Sequence, residues 1–446
     1  MSAHRAGSGR LPWVVLALLV PFAIPALLLA GEGRDFPDVP ALSRSVERLR
    51  GLRFREPVQV GRLEPLAFRT RIMKAMRTET DEAEREGLRR ALVAFGLIPP
   101  TLDLDALLTE LLTERVAGFY DPEEKKLFLT RSSQEKVAVP FVDVRMDDLV
   151  LVHELAHALD DQHFDLTMLR DSSGSADDAT VAFQALEEGT ATLTMILYLL
   201  EKLGIDIQPA NLPLKLLGLF QDPSLLPAGS ALADAPEALR RALIFPYTAG
   251  LEFVAFHLNH GGWERINAFL AHPPVSSEQI LHPAKVLGEG DQPIPVQLDA
   301  LPVKGLRRLQ DGTLGEVDIV SVLQVGMKEE RARRGAAGWG GDRFVLFEQG
   351  RHDPDLLVWL TVWDVGVEAK EFEDLYIEVM DHRFPRGKSS RPPETPFYLH
   401  TYRGHQVLVE RRDRRVLIVQ GARRRRLERL REAAWDHLKH RSPEES

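Results

Sequence analysis

The chain has 446 residues, of which 44% are hydrophobic and 27% are charged. That balance is typical of globular proteins, and the length is sufficient for two or three domains. The formal net charge of −10 argues against nucleic acid as a main partner. The sequence has no cysteine, which excludes disulfides and a lipid-modified cysteine, so an exported protein of this sequence depends on its core alone.

The N-terminus has the charge pattern of a targeting segment. Arg5 and Arg10 precede a mostly apolar run over residues 11–30, and acidic residues follow it. The pattern predicts a signal peptide or an N-terminal membrane anchor over residues 1–30. The rest of the chain is then expected outside the cytoplasm, either secreted or anchored to the membrane. Cleavage stays open, because Leu-Leu-Ala at residues 28–30 is a poor small-residue cleavage site.

The next part of the chain is predicted to be a tether followed by helices. Residues 31–64 are rich in Pro, Gly and charge and are expected to form the tether. Helical patterns run over residues 65–94 and 101–115. Residues 116–120 and 126–130 then flank a Pro-containing turn and predict a β-hairpin.

The strongest chemical signal is the sequence His-Glu-Leu-Ala-His at residues 153–157, inside an apolar helical run. His153 and His157 are four residues apart, so they lie on one face of a helix and can share one Zn²⁺. Glu154 is then placed to act as general base on the water held by that metal. The alternative is a core helix with two locally bonded histidines, but buried polar groups need partners and a metal supplies them.

A catalytic zinc usually has three protein ligands and one open position, so a third ligand is required. His163 has the spacing of the metzincin pattern, although Asp160 stands where that pattern has a glycine. The other candidates are Glu188 and its neighbour Glu187, on a helix predicted over residues 180–203.

Glu188, Gly189 and Ala191 reproduce a Glu-Gly-x-Ala setting downstream of the histidine pair. With these two motifs the chain resembles the gluzincins, the thermolysin-like and aminopeptidase-like zinc peptidases, over about residues 115–285. The resemblance implies that Glu188 is the third zinc ligand. It also implies that the hairpin before the histidine helix offers an edge strand, with which an extended peptide substrate pairs.

Several other residues of this region are candidates for supporting roles. Ala185, Gly189 and Ala191 are small and are expected to let the Glu188 helix approach the histidine helix closely. In gluzincins a Tyr or His after the glutamate helix commonly stabilises the developing oxyanion, and Tyr247 and His282 are the candidates here. Asp160 and Asp161 follow His157; each either accepts a hydrogen bond from a ligand ring or is an exposed helix carboxylate.

The pattern changes after residue 300. Residues 301–446 are predicted to form a separate α+β domain of unknown role, whereas residues 65–300 form the zincin-like domain. The predicted strands of the C-terminal domain cover residues 356–363, 397–403, 406–411 and 416–421, and its helices cover 369–383 and 423–440.

The predicted fold class is therefore α+β, with a mainly helical zincin-like catalytic domain, a small edge-strand sheet and a C-terminal α+β domain. The predicted activity is zinc-dependent hydrolysis of a peptide or protein substrate, with Zn²⁺ bound by His153, His157 and Glu188. The alternative is a catalytically silent zincin-fold surface protein that binds a partner or a cell-surface polymer. The intact Glu154 argues for the enzyme, because pure binding has no use for that base. The sequence gives no oligomeric state.

Overall fold

We describe the protein from a computed structural model. The residues that the structure describes are 28–30, 37–79, 81–114, 118–122, 124–130, 135–137, 145–172, 177–205, 230–288, 290–298, 301, 303–350, 353–390 and 397–439.

The described chain mixes helices and strands, which confirms the predicted α+β class with a β-rich C-terminal domain. The helices are Val39–Arg50 (α1), Pro65–Glu79 (α2), Glu82–Phe95 (α3), Leu104–Glu114 (α4), Met146–Phe164 (α5), Leu166–Ser172 (α6), Asp177–Lys202 (α7), Ala231–Asp234 (α8), Glu237–Ala271 (α9), Ser277–Leu281 (α10), Gly315–Gln324 (α11), Glu329–Ala336 (α12), Gly366–Arg383 (α13) and Arg424–Lys439 (α14). The strands are Leu28–Ala30 (β1), Gln59–Leu63 (β2), Gly118–Asp121 (β3), Lys126–Thr130 (β4), Glu135–Val137 (β5), Arg307–Gly312 (β6), Trp339–Glu348 (β7), Leu356–Trp363 (β8), Lys388–Ser390 (β9), Phe397–Tyr402 (β10), His405–Arg412 (β11) and Arg415–Ala422 (β12).

A small sheet lies beside the histidine helix α5. Its strand order is β2-β4-β3, with β2 parallel to β4 and β3 antiparallel to it. The predicted hairpin is confirmed, because Gly118 pairs with Leu129 and Asp121 pairs with Lys126. Among the described residues, strand β3 is thus an edge strand of this sheet. Leu127 and Leu129 of β4 belong to the same buried cluster as the apolar residues of α5.

Helix α7 lies between α5 and α9, and its small residues serve two contacts. Ala191 belongs to the buried cluster that includes α5. The expectation that Gly189 and Ala185 also face α5 is wrong. A Cβ built on Gly189 would lie 2.3 Å from the backbone of Gly250, and one built on Gly250 would lie 2.0 Å from the carbonyl oxygen of Ala185. The two glycines therefore permit the close crossing of α7 with α9.

The prediction of a tether is wrong for residues 39–50 and 59–63, which form α1 and β2. Composition suggested a linker because Pro and charged residues are frequent there, but α1 is amphipathic, with Leu42, Val46 and Arg50 buried. Asp38 caps the first turn of α1 through the backbone N–H of Ala41.

The C-terminal domain is built on a seven-stranded sheet of order β6-β7-β8-β12-β11-β10-β9, antiparallel throughout. Strand β8 is buried on both faces. Leu357 and Trp359 face a core shared with α11, α12 and α13, whereas Val358 and Leu360 face a core shared with α14. This alternation follows the two-residue period of a strand, so helices cover both faces of the sheet.

Helix α3 comes from the N-terminal half of the chain but packs on the C-terminal sheet. The ring of Phe95 lies 5.2 Å from both the ring of Phe344 and that of Trp359. The guanidinium of Arg90 pairs with Asp355, and its Nη1 lies 2.8 Å from Glu348. The two predicted domains are therefore joined by a helix that precedes the histidine helix in sequence.

Two predicted segments lie mostly or partly outside the described residues. The first is the targeting segment, of which only Leu28–Ala30 is described, as strand β1 paired antiparallel with β5. The second is the Pro- and Leu-rich segment of residues 204–236, for which the sequence predicts irregular structure and of which residues 206–229 lie outside the described residues. In the described part of the chain we find no helix with the length and apolar character that a bilayer span requires.

Candidate metal centre

The structure brings together the side chains of His153, His157 and Glu188. The Nε2 atoms of the two histidines lie 3.0 Å apart. Oε2 of Glu188 lies 3.1 Å from Nε2 of His153 and 3.5 Å from Nε2 of His157. Three potential metal ligands thus converge from two helices, α5 and α7.

The arrangement follows from local helix geometry and from helix packing. Four residues of separation place both imidazoles on one face of α5. Glu188 is on α7, which is positioned by the cluster that joins it to α5 and by its close crossing with α9. His153 is fully buried and Glu188 is 1% exposed, so neither side chain can rely on water for hydrogen bonding.

The donor set fits a tetrahedral zinc site. With zinc–ligand bonds of about 2.0–2.1 Å, the edges of the tetrahedron are about 3.3–3.4 Å long. The three measured separations of 3.0, 3.1 and 3.5 Å lie around that value. In the described chain, Oε1 of Glu188 and Nδ1 of His153 are buried without a hydrogen-bond partner. Two nitrogens and a carboxylate are also the ligand chemistry of catalytic zinc sites, so the residues present fit the ion.

The pKa values of the three triad groups are shifted by burial and by one another. Burial lowers the pKa of His153. Burial also acts to lower the pKa of His157, but the charge and hydrogen bond of Glu188, with the charges of Glu154 and Glu187, together raise that pKa to about 9. Burial would raise the pKa of Glu188, yet the charge of His157 and the hydrogen bonds of both histidines hold it below its usual value. Positive charge is therefore favoured beside the Glu188 carboxylate.

Glu154 lies next to the triad but bonds elsewhere. Its Oε2 accepts a hydrogen bond of 2.7 Å from the backbone N–H of Tyr120 on β3. Its Oε1 is buried and has no hydrogen-bond partner among the described residues. Burial raises the pKa of Glu154 to about 8, against the charge of His157. A cation bound by the triad would favour the ionised carboxylate.

The two candidates for the oxyanion donor have different surroundings. Tyr247, on α9, is 7% exposed, and its ring centroid lies 6.3 Å from that of His153. His282 follows α10, and its Nε2 lies 3.0 Å from both carboxylate oxygens of Glu316 on α11. The prediction for His282 thus gains no support, because its Nε2 is engaged by a buried carboxylate that is not part of the triad.

The remaining candidates near the motif also have partners away from the triad. Nε2 of His163 lies 2.8 Å from the carbonyl oxygen of Arg53, and the residue is not part of the converging group. Asp160 pairs with a buried arginine, and Asp161 accepts a hydrogen bond from the Tyr120 hydroxyl. Both aspartates are at most 5% exposed, so neither of the predicted alternatives, ligand-ring acceptor or exposed carboxylate, describes the contacts they make.

A second group of carboxylates occurs between α10 and the C-terminal sheet. Glu278, Asp291 and Asp364 come close enough together to suggest a cation site. The ammonium of Lys285 lies 2.7, 2.7 and 2.9 Å from these three carboxylates, respectively. A lysine side chain therefore supplies the positive charge, and the group is an ion-pair network.

Sequence reasoning did not single out Tyr120 as a site residue. Its amide position depends on how β3 meets α5, and no motif records that contact. The only local signal was the hairpin pattern, which predicted an edge strand before the histidine helix.

Comparison with known proteins gives a match in the C-terminal domain. A family model described as a domain of unknown function (DUF8575) matches residues 303–431. No curated protein and no solved structure matches the chain. The family match covers the seven-stranded sheet and includes none of the triad residues.

Proposed function

We propose that this protein is a zinc-dependent peptidase of the gluzincin type, exported or anchored to the membrane by its N-terminal segment. The observation that carries the proposal is the convergence of His153, His157 and Glu188 beside Glu154, whose carboxylate meets an edge strand. Local pairing of two histidines would not require a buried glutamate from a second helix.

Each residue of the site has a separate role in the proposed reaction. His153, His157 and Glu188 would hold Zn²⁺, which when bound acts as a Lewis acid that lowers the pKa of water and polarises a carbonyl group. Glu154 accepts a proton from the attacking water on its free Oε1 and later delivers that proton to the leaving amine. Its other oxygen is held by the Tyr120 amide, so the carboxylate is oriented before substrate arrives.

Two further features support a peptide substrate. Strand β3 is the edge of its sheet, and an extended peptide can add to such an edge through backbone hydrogen bonds. Tyr247 lies beside the His153 ring, and its hydroxyl is the group we propose as donor to the oxyanion that develops on the attacked carbonyl.

The competing function is a catalytically silent zincin-fold protein that binds a partner. Deep burial of the site favours it: Glu154 is 1% exposed, and the side chain of His157 is only 13% exposed. A silent protein would use the metal for stability, as structural zinc sites do.

The deciding experiment compares wild type with Glu154→Gln. The substitution preserves size but removes the ability to accept a proton. A peptidase should retain its zinc and its fold in this variant and lose on the order of a hundredfold or more in rate. The assay uses extended peptides, with phenanthroline as the chelation control. A zinc-loaded wild type that cuts no peptide, and that Glu154→Gln matches in every assay, would leave the binding protein as the better description.

A further inference from the structure

Tyr120 contacts helix α5 at two points. Its backbone N–H donates to Oε2 of Glu154 at 2.7 Å, and its hydroxyl donates to Oδ2 of Asp161 at 2.8 Å. Glu154 and Asp161 are seven residues apart, which is about two helical turns, or about 10 Å along the axis. Tyr120 of the edge strand therefore contacts the histidine helix at two points that are about two turns apart.

The Asp161 end of this contact is itself fixed. The carboxylate is 5% exposed, and its second oxygen, Oδ1, accepts a hydrogen bond of 3.1 Å from the backbone N–H of Leu166 at the start of α6. Both oxygens of Asp161 are thus engaged. The hydroxyl of Tyr120 stays a donor at all ordinary pH values, because burial and then the charge of Asp161 raise its pKa.

The strand end of the contact has a backbone ladder with β4. Strand β3 has four residues and, among the described residues, pairs only with β4, so the backbone groups of its other edge have no ladder. The Tyr120 amide can orient the Glu154 carboxylate only while β3 keeps its position relative to α5. The hydroxyl bond to Asp161 supplies a second point of attachment to α5, which opposes rotation or sliding of the strand about the Glu154 contact.

We propose that the hydroxyl bond between Tyr120 and Asp161 is a positioning clasp that holds β3 in place and thereby orients the carboxylate of Glu154. Neither the hydroxyl nor Asp161 touches the reacting atoms; they act through the Tyr120 amide. The catalytic part of this inference rests on the proposed function. The structural part, that the clasp fixes β3, stands independently of any activity.

The experiment uses the full chain with Tyr120→Phe, Asp161→Ala and Asp161→Asn. Tyr120→Phe and Asp161→Ala remove the clasp, and we expect each to lower kcat on the order of tenfold with zinc content unchanged, because small misplacement of a reacting group is costly. The double variant should be no slower than Asp161→Ala alone, because both changes break one bond. Asp161→Asn keeps a side chain that can form a hydrogen bond with the Tyr120 hydroxyl, so this variant should retain most of the wild-type kcat.

A matched control removes the same kind of bond far from the site in sequence and fold. The hydroxyl of Tyr398 donates to Asp381 at 2.6 Å in the C-terminal domain. Tyr398→Phe should leave kcat unchanged. Unchanged kcat in Tyr120→Phe as well, in a zinc-loaded and active protein, would overturn the catalytic part of the proposal.

A second readout does not depend on activity. Hydrogen–deuterium exchange should be faster over residues 118–121 in Tyr120→Phe than in wild type, with exchange of α5 little changed. If wild type carries zinc but cuts no peptide, the proposed function fails, and the exchange result alone decides the clasp. Equal exchange over residues 118–121 in the two proteins would overturn it.

Discussion

Nη2 of Arg50 lies 2.5 Å from Oδ1 of Asp160 in an ion pair that joins α1 to the helix of the histidine motif. Arg50 is fully buried, and the Asp160 side chain is 5% exposed. The guanidinium also lies over the ring of Trp263, 4.2 Å from its centroid, and bonds Asn267. Burial raises the pKa of Asp160 although Arg50 acts to lower it, so the pair does not fully offset its own desolvation.

We therefore expect either single change at this pair to be strongly destabilising. Asp160→Asn leaves a buried guanidinium without its counter-charge, which should cost about 3–5 kcal/mol in the free energy of unfolding. Arg50→Met likewise leaves the buried Asp160 carboxylate without its counter-charge. The double variant should be less destabilised than the sum of the two, because both partners are then gone. Urea unfolding of the four proteins measures the coupling.

The same helix offers a matched control. Arg48 of α1 pairs with Glu201 of α7 at 2.6 Å, but these side chains are 55% and 44% exposed. Water screens that pair, so Arg48→Met should change the free energy of unfolding by no more than about 1 kcal/mol. Equal effects of Arg48→Met and Arg50→Met would show that burial is not the source of the difference.

The choice of third zinc ligand can be tested with neighbouring glutamates. Glu187 and Glu188 are both almost fully buried on α7, but only Glu188 is in the converging group. Purified wild type should carry about one Zn²⁺ per chain, and Glu188→Gln should retain a small fraction of it. Glu187→Gln should keep its zinc. Metal content is measured directly by mass spectrometry on the dialysed proteins.

A stability measurement gives an independent check on the same pair. Because zinc binds the folded state, an excess of a hundredfold over its dissociation constant should stabilise wild type by about 2.7 kcal/mol. Added zinc should raise the Tm of Glu187→Gln as it does that of wild type, and leave the Tm of Glu188→Gln nearly unchanged. Loss of zinc from His163→Ala, with Glu188→Gln still loaded, would favour the metzincin alternative.

The crossing of α7 with α9 should tolerate no side chain at Gly250. A Cβ there would lie 2.0 Å from the backbone oxygen of Ala185, so the helices must separate. We expect Gly250→Ala to destabilise the fold by about 1–3 kcal/mol or more and to lower zinc content, since Glu188 is one turn from the contact. In Gly261→Ala, on the same helix, the atoms nearest to the new Cβ belong to the Arg265 side chain and not to α7, so zinc content should be unchanged.

The histidine motif could be predicted from sequence because its geometry is local. A separation of four residues on a helix fixes the relative placement of His153 and His157 whatever the rest of the fold does. Strands β8, β10, β11 and β12 were also predicted, each to within one residue at both ends, because their apolar pattern is strong. The short polar strand β9 was not predicted. Glu188 came from a resemblance rather than from spacing.

The features that could not be predicted from the sequence depend on contacts between residues that are far apart in the chain. Helix α1 was predicted as tether because nothing in its sequence shows that Arg50 finds Asp160, more than a hundred residues later. The contact of Tyr120 with Glu154 likewise depends on where a short strand meets a helix. His282 was a candidate donor because it follows the glutamate helix, but its partner Glu316 belongs to the next domain. Local pattern cannot determine such pairings.

The bond between His282 and Glu316 should make stability depend on pH. Glu316 raises the pKa of His282 through their hydrogen bond, against burial, with Glu278 adding to the rise and Lys285 opposing it. A raised folded-state pKa means that the stabilisation is fully present below the unfolded value of about 6.5 and is lost as pH rises through the folded-state pKa. Burial raises the pKa of Glu316, so the titration of this group also lowers the stability as pH rises.

We therefore expect His282→Gln to reduce the free energy of unfolding more at pH 6 than at pH 9. The measurement is urea unfolding of wild type and variant at both pH values. The His282 side chain is 42% exposed, so solvent screens the interaction and the difference will be small. In a Glu316→Gln background the carboxylate is absent, and His282→Gln should then have the same effect at both pH values. A pH-dependent difference that persists in that background would assign the titration to another group of the network, such as Glu278 or Lys285.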